Sequence, residues 1–143
     1  MLIGEFTHNL DAKGRLSVPA KFRSELGSSA IVTRGLDKCL FLYPKAEWET
    51  MATRLANLPI SSSNARAFAR MMLSGAMEVE IDKQGRALLP GYLRDYAGIK
   101  GPVMVTGVFN RAEIWDKQTW DAYSKQAAVD NESNAEKLTE WEL

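Results

Sequence analysis

The sequence predicts a mixed α+β chain, mainly β, made by internal duplication, with short helices around a body of strands. Three observations carry this. "DAKGRLSVPAKFRSELG" (residues 11–27) and "DKQGRALLPGYLRDYAG" (82–98) align at an offset of 71, with Asp, Gly, Arg, Pro, Arg and Gly identical among 17 positions. Apolar and polar residues alternate in short runs such as "EFTHNL" and "MEVEI", the period of a half-buried strand. Each copy also sets a Pro and a Gly eight residues apart, room for a helix of about two turns.

Within each copy the elements follow from local chemistry. After the first strand, "DAKG" and "DKQG" suit tight turns. Asp at the first position accepts nearby backbone N–H bonds, and Gly at the fourth takes the left-handed conformation that closes a type I turn with a bulge. Asp11, Gly14, Asp82 and Gly85 are the turn-shaping residues, and Arg15 and Arg86 open the returning strand at a hairpin tip. Pro19 and Pro90 stand where a helix begins, Gly27 and Gly98 where it ends. Phe22 with Leu26, and Leu93 with Ala97, give each helix an apolar face at i, i+4 spacing. "AIVTR" and "CLFLY", joined by "GLDK", read as two more strands, with "VMVTG" and "EIW" as counterparts. "KAEWETMATRLANL" closes the first unit as an amphipathic helix with Trp48, Met51 and Leu55 on one face; Trp120 and Tyr123 mark its equivalent. Each unit reads β-β-α-β-β-α.

The alignment extends past the motif. Gly4 falls opposite Gly75, residues 31–43 opposite 104–116 at an offset of 73, and Trp48 opposite Trp120 at 72. The expected division is a first repeat at 1–57, a helical spacer at 58–74, a second repeat at 75–129 and an acidic C-terminal tail at 130–143. A unit of about 55 residues buries little surface alone, so the repeats are expected to form one pseudo-symmetric body. In the spacer a Ser N-cap precedes Ala65, Phe68 and Met72 on one helix face. Arg66 and Arg70 share another face, where like charges cost a few tenths of a kcal/mol. They read either as solvated or as facing an anionic neighbour.

Composition narrows the class. An apolar fraction of 45% and a charged fraction of 25% suit a soluble globular protein. No apolar run approaches the ~20 residues that span a bilayer. "MLIGEFTHNLD" has no basic lead or signal-like apolar segment, so a cytoplasmic location without a membrane partner is expected. A lone cysteine, Cys39, excludes an internal disulfide, and with one histidine, His8, it excludes a four-ligand Cys/His zinc site. No metal or cofactor is expected. The net charge of zero hides an asymmetry: residues 130–143 carry five acids and one Lys, net −4, and the rest 17 bases and 13 acids, net +4. The acidic end reads either as solvated or as competing for a basic surface.

Catalytic chemistry is sparse. There is no nucleophile elbow, Walker-type loop or H-E-x-x-H sequence. His8 reads as a surface or half-buried strand residue, and Cys39, in "CLFLY", as a packed core thiol. Asp11 and Asp82 could form a carboxylate dyad if a twofold axis joined them, but the turn role explains both more simply. No enzyme activity and no small-molecule substrate are expected.

Two hairpin tips, each with an Arg after a tight turn, can present cations to a regular polyanion. Lys13 and Lys83 lie in the turns, and Lys21 and Arg23 follow in the first helix. Arginine's planar fork matches phosphate oxygens and pairs with guanine O6 and N7 in the major groove. Phosphate contacts would supply salt-sensitive affinity and base contacts specificity. The competing reading is that each Asp–Arg pair is a hairpin salt bridge, worth under about 1 kcal/mol at the surface.

"GEFTHNLDAKGRLSVPAKFR", "TRGLDKCLFLYP", "ARAFARMMLSGA" and "DKQGRALLP" together resemble the MraZ family of bacterial transcriptional regulators, in the superfamily that includes AbrB and SpoVT. The likeness covers essentially the whole chain, and its hallmark is the doubled Asp-x-x-x-Arg signature, here Asp11/Arg15 and Asp82/Arg86. The resemblance implies a swapped-hairpin β-barrel assembled within one chain, and closure of several chains into a ring-shaped homo-oligomer. It also implies repression of the division and cell-wall gene cluster from its own promoter, at the nucleoid, by binding double-stranded DNA at short G-rich direct repeats. Gln84 stands where the first signature has Lys13, so the N-terminal copy is expected to carry more of the phosphate binding.

Two other functions are expected to be separable from this one. An oligomeric scaffold for protein partners would dock through the acidic end and Trp141, and would bind without a steep salt dependence. A hydrolase would need Asp11 and Asp82 close together in a cleft.

Overall fold

The computed structural model describes residues 1–141, which include all but the last two residues of the acidic C-terminal stretch. The first copy runs β1 (Leu2–Asn9), β2 (Arg15–Ser17), α1 (Ala20–Leu26), β3 (Ser29–Arg34), β4 (Leu40–Tyr43) and α2 (Lys45–Ala56). A linking helix, α3 (Ser63–Ser74), leads to β5 (Met77–Glu80), β6 (Arg86–Leu88), α4 (Gly91–Tyr96), β7 (Pro102–Phe109), β8 (Ala112–Asp116) and α5 (Lys117–Lys137). The fold is α+β with a large antiparallel sheet of six strands, ordered β1-β7-β8-β4-β3-β5, and a ribbon of two, β2-β6.

Two long-range ladders exchange strands between the repeats. β1 pairs with β7 and β5 with β3, so each repeat's first strand completes the other repeat's sheet. The strands following the turns do not run back along their own hairpins. β2 pairs with β6, and each touches its own partner through one bridge only, Leu10 with Leu16 and Ile81 with Ala87. Those bridges join the ribbon to both edges of the large sheet, so the eight strands form one closed circuit. Closure leaves few unpaired strand edges. Two matched backbone bonds clamp the crossing: Val18 N–H donates to the Gly85 carbonyl at 2.8 Å and Leu89 N–H to the Gly14 carbonyl at 3.1 Å.

The registers locate a pseudo-twofold axis. Leu16 pairs with Ala87, its own equivalent, and Phe41 pairs with Glu113 in the same way. The second relation requires an offset of 72 at β4 and β8, not the 73 drawn from the sequence. The β3–β4 link spans Gly35–Cys39, whereas β7 and β8 turn through Asn110 and Arg111. That difference in connection shifts the last strand by one residue and makes Trp115 the mate of Tyr43.

Two apolar clusters result. Inside the circuit lie Leu16, Val18, Phe22, Val32, Leu42, Ala87, Leu93, Val105 and Ile114. The faces expected for both short helices are buried here through Phe22, Leu26, Leu93 and Ala97. On the outer face, Cys39, Phe41, Tyr43, Met104 and Trp115 pack beneath Leu55 and Met72, with Trp48, Met51, Phe68 and Trp120 partly covered. Tyr43 meets Trp48 at 5.5 Å and Trp115 meets Trp120 at 5.2 Å, a matched aromatic pair in each repeat. α3 is N-capped by Ser62, whose hydroxyl accepts the Ala65 N–H. α5 is longer than a two-turn peripheral helix, at 21 residues. Asp116 caps it by accepting the Thr119 N–H, and no Gly or Pro interrupts residues 117–137. The acidic residues from Asp130 to Glu136 therefore sit on exposed helix turns.

Candidate nucleic-acid interface

Each signature turn is organised by its aspartate. Asp11 Oδ1 accepts the N–H groups of Lys13 and Arg15, both at 2.9 Å, and Oδ2 accepts Arg15 Nε at 2.6 Å. Asp82 repeats the pattern with Gln84 and Arg86, both at 2.9 Å, and with Arg86 Nε at 3.2 Å. Gly14 and Gly85 have φ of 84° and 78°, the left-handed region that favours glycine. The Arg15 N–H, above all, holds the Asp11 carboxyl below its ordinary pKa, and the Arg86 N–H does so for Asp82. Each carboxylate is thus consumed within its own turn as an ionised acceptor. A proton-sharing dyad does not fit that arrangement, and the hydrolase reading falls with it.

The ribbon brings the two arginines together. Leu16 and Ala87 point inward and are buried, so Arg15 and Arg86 lie on the opposite, outer face with Ser17 and Leu88. In this register Arg15 faces Leu88 and Arg86 faces Ser17, which makes the arginines diagonal neighbours. Both line one open groove of about 510 Å³. Its other wall is β5, with Glu80 and with Glu78, which is paired with Lys45. The arginines are not wholly free side chains. Asp11 and Asp82 hold each by Nε, leaving the terminal nitrogens to bond elsewhere.

The lysines are placed differently. Lys13 and Lys83 are exposed in the turns and do not line that groove. Lys21 is exposed on α1, its ammonium 6.0 Å from the centre of the Phe6 ring. Arg23, read from sequence as one more presented cation, has a structural task. Its Nε donates to the Val18 carbonyl at 3.1 Å, and its guanidinium lies against Gly85 of the other repeat. Arg94 does the same with the Leu89 carbonyl and Gly14. The signal was present in the sequence: Arg23 and Arg94 are one of the six identities. Elsewhere, burial and then Arg23 push the His8 pKa down, and burial pushes the Cys39 thiol up. Among the described residues no cluster of His, Cys, Asp or Glu could hold a metal ion, and no helix is long and apolar enough to cross a membrane.

A family model described as "MraZ protein, putative antitoxin-like" matches the chain twice, over residues 1–71 and 72–140. Similar relatives bear the name "Transcriptional regulator MraZ". One from Natranaerobius thermophilus is 50% identical over 143 residues, the whole of both chains. One from Desulforamulus reducens is 51% identical over 140 residues, 98% of this chain and 99% of the relative. One from Caldanaerobacter subterraneus is 47% identical over 143 residues, again the whole of both. With one model matching both halves and relatives of this identity along its full length, the chain belongs to the MraZ family, a family of transcriptional regulators and not of enzymes.

Proposed function

We propose that the chain regulates transcription as a repressor by binding double-stranded DNA through the outer face of the β2–β6 ribbon. The observation that carries this reading is the diagonal placement of Arg15 and Arg86 on one ribbon, each steadied by its own aspartate. A two-stranded ribbon fits the major groove, about 12 Å wide, and Arg is suited to guanine O6 and N7. An Arg already held at Nε loses less side-chain freedom on binding. Lys13, Lys83 and Lys21 flank the ribbon and serve the phosphates, whose contacts make affinity salt-dependent. The DNA would be short G-rich direct repeats in the promoter of the division and cell-wall gene cluster, bound at the nucleoid in the cytoplasm. Several copies closed into a ring would meet successive repeats, each weak contact gaining from effective concentration.

The test is gel retardation of a duplex bearing G-rich direct repeats. Arg15→Ala should abolish or sharply weaken the shift while the folded chain keeps its circular dichroism. Undiminished binding by folded Arg15→Ala would overturn the assignment.

A further inference from the structure

The outer face of the sheet is covered unequally: α2 and α3 lie over one half and α5 alone over the other. Thr33 and Thr106 occupy pseudo-symmetric positions, opposite Phe41 and Glu113 in their ladders, and both are buried. Thr33 Oγ1 donates to the Met72 carbonyl of α3 at 2.6 Å. α3 has no second copy among the described residues, and Thr106 Oγ1 has no hydrogen-bond partner there. Where a second α3 would lie there is a cleft of about 480 Å³, bordered by Glu5, Thr106, Val108, Trp120 and Tyr123. Ile3, paired with Val108 and 55% exposed, extends its apolar rim along the sheet. A buried hydroxyl without a partner is costly, and an apolar rim beside it marks a contact surface.

Charge selects what covers it. The cleft is lined by Glu5, Asp37 and Glu113 against Arg111 alone, and Arg111 is already paired with Glu113. The chain's own acidic stretch from Asp130 onward would be repelled. The complementary surface is residues 54–75, which carry three arginines and no acid. It exposes Leu58, Leu73 and Ile60, the last 83% exposed, around Arg66, and Arg70 is exposed on the same helix. That shoulder packs over Thr33 on the other half of its own sheet, so it reaches a Thr106 cleft only from a second molecule.

We propose that the cleft over Thr106 receives the α2–α3 shoulder of a second copy of this chain, Arg70 facing Glu5 and Asp37, in a head-to-tail contact. Two different patches on one subunit generate a ring when the rotation closes, so this inference rests on the ring reading above and names its interface. Arg70 then has an anionic neighbour, while Arg66 stays within its own chain, donating to the Ile60 carbonyl at 2.8 Å.

Sedimentation velocity on the full chain tests it. Wild type should sediment as an oligomer, and Glu5→Arg or Arg70→Glu, both surface changes, should each shift it to the 15.9-kDa monomer. An equimolar mixture of the two variants should regain the oligomer, because every contact then pairs opposite charges, and the double variant should do so alone. Circular dichroism confirms that each variant is folded. An oligomeric wild type with both single variants unchanged, or variants that fail to rescue one another, would overturn this interface and leave the ring standing. A monomeric wild type would overturn the ring as well.

Discussion

The guanidinium of Arg23, in the first repeat, lies so close to Gly85, in the second repeat's turn, that a Cβ there would sit 2.2 Å from Cζ. Arg94 bears on Gly14 in the same way, at 2.8 Å. The turn glycines therefore serve two purposes, a left-handed backbone and a bare surface for the other repeat's arginine. Through these contacts each helix positions the opposite signature turn, which couples the shape of that turn to the other half of the chain.

Gly85→Ala is expected to destabilise the protein by more than the roughly 1–2 kcal/mol that a left-handed L-residue costs. Gly27→Ala supplies the reference, since Gly27 has φ of 72° but nothing within 4 Å of its would-be Cβ. Urea unfolding should show Gly85→Ala as the costlier change. In the Arg23→Ala background the excess should shrink, a non-additivity expected of touching groups.

Asp11 titrates with a definite sign. Its pKa is lowered in the folded chain from an ordinary 3.8, chiefly by the Arg15 N–H. Stability from this group is therefore fully present above the ordinary value and is lost as pH falls through the folded one. Acid unfolding curves of Asp11→Asn should be flatter than wild type in that range and coincide with it in slope near neutrality.

The pseudo-symmetric threonines should answer differently to the same substitution. Thr33→Val strips the Met72 carbonyl of its donor and is expected to cost roughly 1–3 kcal/mol in thermal or urea melts. Thr106→Val removes a buried hydroxyl that has no partner among the described residues, so for the single chain it should be neutral or stabilising.

If the ribbon binds DNA, the flanking turns should contribute unequally. Lys13→Ala is expected to reduce the slope of log affinity against log salt by about 1, whereas Gln84→Ala leaves it unchanged. Fluorescence anisotropy between about 50 and 200 mM salt reads both.

Cys39, fully buried and with its thiol pKa raised, should resist a disulfide reagent in the folded protein. Its modification rate should follow global unfolding across a denaturant series. Rapid labelling under native conditions would contradict the packing described.

Much of the local structure was legible along the chain. Asp at one end of a four-residue turn and Gly at the other dictate the hydrogen bonds that Asp11 and Asp82 make, because those bonds span at most four residues. Pro19 and Gly27 delimit α1, and the alternation in "MEVEI" marks β5, for equally local reasons. The repeat disclosed that two such units exist. Which strand pairs with which was decided by tertiary structure alone. β2 meets β6 and β1 meets β7 because burying Leu16 against Ala87 and Phe6 beside Val105 requires both copies at once, and no local pattern records a partner 71 or more residues away. The same holds for Arg23 and Arg94: their repetition was visible, but only the crossing of the repeats places each on the other's glycine. The short β7–β8 link shifted the final register by one residue, since ladder bonds outweigh alignment of side-chain types. "DAKGR" thus determined the shape of a turn and the arginine that follows it, and the swap of strands decided that two such arginines share one face.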